Sequence, residues 1–306
     1  MALQEKLSAL PAARVTLLAD PPQDIPHGDM PGDKICIGPD HVQKANTLFP
    51  QLLKALAQTG KDRAVVSVYG GSGVGKSEIA SLLAWRLGEV GIGSYVISGD
   101  NYPRRIPLYN DAERARVFRV AGLKGLVAEG VYSDAVRETL SQLWQAETDP
   151  DPALCGEYPW LAVYQRHGRE ALTDYLGTAA EQDFDELNAI LSAFRSGAPF
   201  GWLKRMGRAE EERWYSQVDF TGVEVLILEW THGNSPFLSQ VDVPILLRST
   251  PEETREHRRL RARDSKTDSP FTTMVLEIEQ AKLDAQAHTS KLAISKAGEL
   301  LDPSAL

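Results

Sequence analysis

The sequence predicts an α/β fold: a parallel sheet with helices on both faces and a helical insertion on the ligand side. Three observations carry this. An apolar strand pattern at 64–69 ends in glycines, a helical pattern follows at 76–87, and a second strand pattern occupies 94–98. Strand, glycine loop, helix and strand within about 35 residues form a βαβ unit, whose crossover makes the two strands parallel.

The elements can be justified in chain order. Residues 1–34 are rich in Pro, Gly and Asp and read as an irregular extension. From Asp40, a suitable N-cap, to about 59 the apolar positions Val42, Leu48, Leu52 and Leu56 recur with helical spacing. Residues 1–60 are therefore expected to form an N-terminal extension with a helix, and 61–306 the main domain. In the helix at 76–87, Ile79, Leu82, Leu83 and Leu87 share one face. An insertion at about 103–220 is largely helical, with segments near 111–129, 134–147, 160–176 and 185–196. Its aromatics, among them Tyr164, Phe184 and Phe194, suit packing of its own core, with stacking on a nucleobase as the alternative. Strand patterns return at 223–228 and 243–247, with a weaker one at 291–295. Ser269-Pro270 opens a helix with Met274, Val275, Ile278 and Ala281 turned inward.

Composition narrows the function classes. The 306 residues are 42% hydrophobic and 25% charged, which suits a folded chain with a sizeable core. A net charge of −9 argues against a nucleic-acid or anionic-membrane surface. No apolar run approaches the roughly 20 residues that span a bilayer. The two cysteines, Cys36 and Cys155, and six scattered histidines form no metal-binding spacing. Charge in the first residues and the lack of a signal-peptide core lead to an expected cytoplasmic location. Nothing in the sequence fixes oligomeric state, and a homodimer stays open.

The strongest chemical signal is Gly70-Gly71-Ser72-Gly73-Val74-Gly75-Lys76-Ser77, a complete G-x-x-x-x-G-K-S between a strand and a helix. Glycines let successive N–H groups turn inward around phosphates, and the helix N-terminus adds partial positive charge. Gly71 to Ser77 are the expected ATP contacts. Lys76 would reach the β- and γ-phosphates, and the Ser77 hydroxyl would coordinate Mg²⁺. The fold is therefore expected to be of the P-loop NTPase type. Asp100 follows the second strand, where a carboxylate could take the proton of an attacking hydroxyl, although an Asp-Asn turn also suits a strand end. Glu229 ends the third strand, as expected for a residue in the Mg²⁺ shell. His232 follows it closely and could contact substrate or simply be a satisfied loop histidine. Arg255, Arg258, Arg259, Arg261 and Arg263 form a helical cluster that reads either as a solvated face or as a clamp on the γ-phosphate.

With these residues assembled, the chain resembles the phosphoribulokinase/uridine kinase superfamily of small-molecule kinases, which includes pantothenate and D-glycerate kinases. Ser98-Gly99-Asp100-Asn101-Tyr102 is similar to the strand-end Asp and aromatic of these enzymes, and Asp183-Phe184-Asp185 to the helix that closes their substrate side. Glu229 with His232-Gly233 resembles their Glu-Gly-x-His-Gly element, and Arg258 to Asp264 their lid helix, here about 255–270. The resemblance implies Asp100 as catalytic base, Glu229 as a magnesium-shell residue, Arg259 and Arg263 as phosphate clamps, and Asp185 on the substrate side. Trp230 departs from the usual Gly, and its bulk is expected to narrow the pocket. Residues 1–60 fall outside the resemblance. The loop segment Ser72 to Glu78 also looks like that of HPr protein kinases, and a nucleotide-dependent regulator without a small-molecule acceptor remains a further reading.

Tyr102, Arg104 and Arg105 lie next to Asp100, followed by Arg114, Arg116 and Arg119. Arginine's planar fork suits phosphate or carboxylate, so a small anionic metabolite is the expected acceptor, a sugar, sugar phosphate, polyol acid or nucleoside. A solvated helix face is the alternative for the arginines after 110. Lys204 is a further candidate anion contact.

Overall fold

The computed structural model describes residues 2–256 and 269–306. The five predicted strands, β1 (Ala64–Gly70), β2 (Ser94–Ser98), β5 (Val225–Glu229), β6 (Val243–Leu247) and β7 (Leu292–Ile294), assemble into one sheet with a short unpredicted strand, β8 (Leu300–Leu301). Its order is β2-β5-β1-β6-β7-β8, parallel except for β8 against β7. Because β1 sits between β5 and β6, the connections diverge there and open a crevice at the strands' carboxyl ends.

Alternation along β1 explains the layers. Ala64, Val66 and Val68 face a core with the helices α2 (Pro39–Thr59) and α3 (Lys76–Glu89), through Leu48, Leu52, Leu56, Ile79 and Leu83. Val65 faces the opposite way, into a core with Phe184, Leu187, Leu191 and Phe194 of α7 (Phe184–Arg195). Strands buried on both faces lose the apolar–polar alternation, which is why β5 reads as the unbroken run Val-Leu-Ile-Leu. Four further helices, α4 (Pro107–Ala128), α5 (Asp134–Ala146), α6 (Leu161–Tyr175) and α8 (Pro270–Gln286), share a separate cluster centred on Phe118, Tyr164, Leu172 and Met274.

Two elements differ from the sequence reading. Residues 200–219, expected within the helical insertion, form an antiparallel hairpin of β3 (Phe200–Met206) and β4 (Arg213–Asp219). The alternation that marks a strand is masked, because Leu203, Lys204, Arg205 and Met206 are all buried. The N-terminal extension is also more than an irregular lead. Its helix α1 (Leu3–Ala9) inserts Leu3, 0% exposed, into the α2/α3 core, and Lys6 Nζ donates to Glu224 Oε1 at 2.6 Å. Further along, Leu18 exchanges two 2.8 Å hydrogen bonds with the Asn46 side chain.

This anchoring is testable. Leu3→Ala leaves a cavity against α2 and should cost about 2 kcal/mol, at the low end for a buried leucine because the site is terminal. Urea denaturation measures it, and a change within error of zero would show that α1 does not pack into the core.

Candidate active site

The chain between β1 and α3 wraps tightly. Gly75, the residue before α3, has φ 96°, a left-handed conformation that L side chains resist. A Cβ there would also lie 2.8 Å from His41 Nε2 at the start of α2, so α2 closes against the loop. Lys76 folds back over the loop, its Nζ donating to the Gly71 carbonyl at 3.1 Å. Such a bond is readily exchanged for a phosphate oxygen, to which an ammonium binds more strongly. The loop stands where β1 meets α3 at the carboxyl edge of a parallel sheet. This is a P-loop NTPase-type fold.

Register brings the acidic residues together. Glu229 is the Cα partner of both Val68 and Ser98, so its side chain lies between the phosphate loop and the end of β2. Its carboxylate is buried and accepts from Ser77 Oγ at 3.1 Å and Ser98 Oγ at 2.5 Å. Burial first, then the nearby Asp100 charge, push its pKa up from 4.5 to about 7; the two serines and Lys76 oppose the shift. Asp100 is exposed, in the 3-10 turn Gly99–Asn101 that follows β2. That turn rests on Trp230: a Cβ at Gly99 would lie 2.0 Å from its ring. Trp230, 2% exposed, packs against Phe184 in the α7 core. Its bulk is thus taken up by the core under the turn, where the sequence reading expected it to narrow the pocket.

Beside this row lies a cavity of about 140 Å³ whose walls include Gly177, Thr178, His232, Phe237, Glu279 and Lys282. Burial lowers the His232 pKa to about 4, outweighing the opposing pull of Glu181, so the imidazole is neutral near pH 7. Glu279 on α8 also borders a small space against Gly71 and Ser72 of the phosphate loop. Its carboxyl is pushed upward, chiefly by burial and against the pull of Arg114. Sequence reasoning missed Glu279, although a signal existed: it follows Val275 by four residues and so falls on the helix side that turns inward.

The predicted arginine anchors are engaged within the protein. Arg104 Nε donates to the Ala179 carbonyl at 2.7 Å and its Nη1 to Asp183 at 3.3 Å. Arg105 reaches Tyr175 Oη at 3.1 Å. Arg114, Arg116 and Arg119 pair with Glu181, Glu113 and Asp149 at 2.6, 2.7 and 2.8 Å. Lys204 is buried, 3.3 Å from Glu186, and its Nζ lies 5.4 Å from the centre of the buried Tyr102 ring. Asp185 is exposed on the first turn of α7, while its neighbour Asp183 caps that helix through Glu186 N. Arg258, Arg259, Arg261 and Arg263 lie outside the described residues; Arg255, before them, is 3.7 Å from Glu252. Among the described residues no helix is long and apolar enough to cross a membrane, and no cluster of His, Cys, Asp or Glu could hold a metal ion by itself.

No family model matches the chain. Over 261 residues it is 36% identical to the bifunctional alpha-galactosidase/sucrose kinase AgaSK of Mediterraneibacter gnavus, an alignment covering 85% of this chain and 23% of that protein. The chain therefore spans under a quarter of the length of the curated relative it matches. Among solved structures, one described as a fructose transport system kinase from Silicibacter sp. TM1040 aligns with TM-score 0.49 and 15% identity, over 79% of this chain and 94% of that one. One described as a uridine kinase from Bacillus stearothermophilus gives TM-score 0.40 and 14% identity, over 74% and 91%.

The raised Glu229 pKa makes a pH prediction. Between pH 4.5 and about 7 the unfolded chain releases a proton that folded Glu229 keeps, so its contribution to stability is lost as pH rises through that window. Glu229→Gln removes this loss. The urea midpoint of the variant relative to the unsubstituted protein, both without ligand, should therefore rise from pH 5 to pH 8. A difference that stays constant with pH would contradict the assignment.

Proposed function

We propose that this chain is an ATP-dependent kinase that transfers the γ-phosphoryl group to a hydroxyl of a small, uncharged sugar. The observation that carries this reading is the convergence of Lys76, Ser77, Asp100 and Glu229 on one crevice, beside a cavity that could admit an acceptor. The similarity to a protein with alpha-galactosidase and sucrose kinase activities supports it. Of those two activities only the kinase consumes a nucleoside triphosphate, the ligand that a phosphate loop binds.

Each residue has a role in this reading. Backbone N–H groups from Gly71 to Ser77 cradle the phosphates, and Lys76 leaves the Gly71 carbonyl for them. The Ser77 hydroxyl and the Glu229 carboxylate, 3.1 Å apart, offer the all-oxygen ligand set that Mg²⁺ takes. Bound there, the ion would neutralise charge on the phosphate oxygens. The acceptor hydroxyl oxygen attacks the γ-phosphorus, the bond from phosphorus to the ADP oxygen breaks, and the hydroxyl proton passes to Asp100. Neutral His232 and the Glu279 and Lys282 side chains supply donors and acceptors suited to sugar hydroxyls. The arginines that suggested an anionic acceptor are held by Glu181, Glu113, Asp149 and Asp183, which favours an uncharged one. If the lid arginines Arg259 and Arg263 close over the γ-phosphate, they add charge stabilisation there.

Sucrose, fructose, glucose and uridine should be compared as acceptors with MgATP. ADP release is read by a coupled assay and the product phosphomonoester by ³¹P NMR. At least one sugar should stimulate release, and Asp100→Asn should lower transfer by about 100-fold or more while ATP affinity changes little. Stimulation by none of the sugars, or equal turnover by Asp100→Asn, would overturn the reading.

A further inference from the structure

The N-terminal segment reaches the crevice. After running over α2 and α3 it brings Gly28 and Asp29 to the carboxyl end of β2, where a Cβ on Gly28 would lie 3.8 Å from Glu229 Oε1. The Asp29 side chain is only 5% exposed. Its Oδ1 accepts from Ser98 N at 2.7 Å and from Asn101 Nδ2 at 3.0 Å. Its Oδ2 accepts from Arg205 Nη1 at 2.8 Å and from Tyr95 Oη at 3.3 Å. The carboxylate thus divides its work: one oxygen meets the hairpin arginine, and the other meets residues on both sides of Asp100.

We propose that Asp29 is a positioning residue for Asp100, a strap from outside the βαβ core that fixes the turn carrying the catalytic base. The inference rests on the kinase reading for what Asp100 does, but the hold on the turn stands on geometry alone. The 3-10 turn closes with a backbone bond from Tyr102 N to Gly99 O at 2.9 Å. Trp230 supports it from below at Gly99, and Met206 N donates to Asn101 Oδ1 at 3.0 Å. Asp29 Oδ1 supplies the contact that spans the turn, from the residue before Gly99 to the residue after Asp100. Ser98 links the strap to the metal side as well, since its N–H serves Asp29 while its hydroxyl serves Glu229. Burial raises the Asp29 pKa to about 6 against the pull of Arg205, Ser98 and Tyr95. An Asp–Arg pair serving only to stabilise the fold would need neither Ser98 nor Asn101.

Two double variants separate positioning from simple stabilisation. Both replace the ion pair: Asp29→Asn with Arg205→Gln keeps an acceptor at the Oδ1 position, and Asp29→Ala with Arg205→Gln removes it. Positioning predicts that the conservative Asn double variant keeps kcat within about threefold, while the Ala double variant loses about 100-fold in kcat, the penalty expected for a misplaced catalytic group. ATP affinity should be alike in the two. Hydrogen exchange supplies a readout independent of catalysis: amides 98–102 should exchange about tenfold faster in the Ala double variant, with β1 and α3 unchanged. Equal kcat in the two variants, or equal exchange at 98–102, would overturn the inference. If the unsubstituted protein phosphorylates no sugar, the kinase reading fails separately, and exchange still decides whether Asp29 holds the turn.

Discussion

The buried carboxylate of Glu229 joins three separate stretches of chain: its own strand, the Ser77 end of the phosphate loop and the Ser98 end of β2. Hydroxyls are weak partners for a buried charge, and no cation hydrogen-bonds to it among the described residues. Burying a carboxylate that way is costly, and the cost appears as a pKa near 7. A group so placed gains most from an arriving divalent cation. The parallel sheet makes the arrangement available, because β1 and its neighbours β5 and β6 end on the same side.

Around this centre the arginines are paired, and the pairs explain the acceptor preference proposed above. Arginine concentrated at 104–119 reads as an anion site in one dimension. In three dimensions each arginine meets a carboxylate, carbonyl or hydroxyl supplied by the chain itself. The unusual groups are the ones facing the cavity: a histidine that burial keeps neutral, and Glu279, held between Arg114 and the phosphate loop. A mostly apolar lining with a few polar groups, among them His232, Glu279 and Lys282, suits a sugar, whose ring has apolar faces and whose hydroxyls need donors and acceptors.

Local patterns were legible in the sequence. The phosphate loop declares itself because its chemistry needs fixed residue types at fixed spacing over eight positions, Gly70 to Ser77. The buried strands declare themselves by unbroken apolar runs. What escaped depends on distance along the chain. Asp29 sits among Pro and Gly residues with no periodicity, and its partners Ser98 and Arg205 lie 69 and 176 positions away. Arg114 meets Glu181 across 67 positions, a pairing no window can show. The hairpin at 200–219 escaped because buried Lys204 and Arg205 break the apolar–polar rhythm; their partners, Glu186 and Asp29, come from α7 and the N-terminal segment. Trp230 was visible, but its direction was not, since that depends on the space left above Gly99.

The central claim is that Glu229 is the carboxylate that meets the nucleotide-bound cation, and proton release on binding tests it directly. Titrating preformed MgATP into the protein at pH 7, in buffers of differing ionisation enthalpy, counts the protons exchanged. With a ligand-free pKa near 7, ionising Glu229 should release about half a proton, and Glu229→Gln should abolish that release. Binding without proton release, or with the same release in Glu229→Gln, would contradict the account.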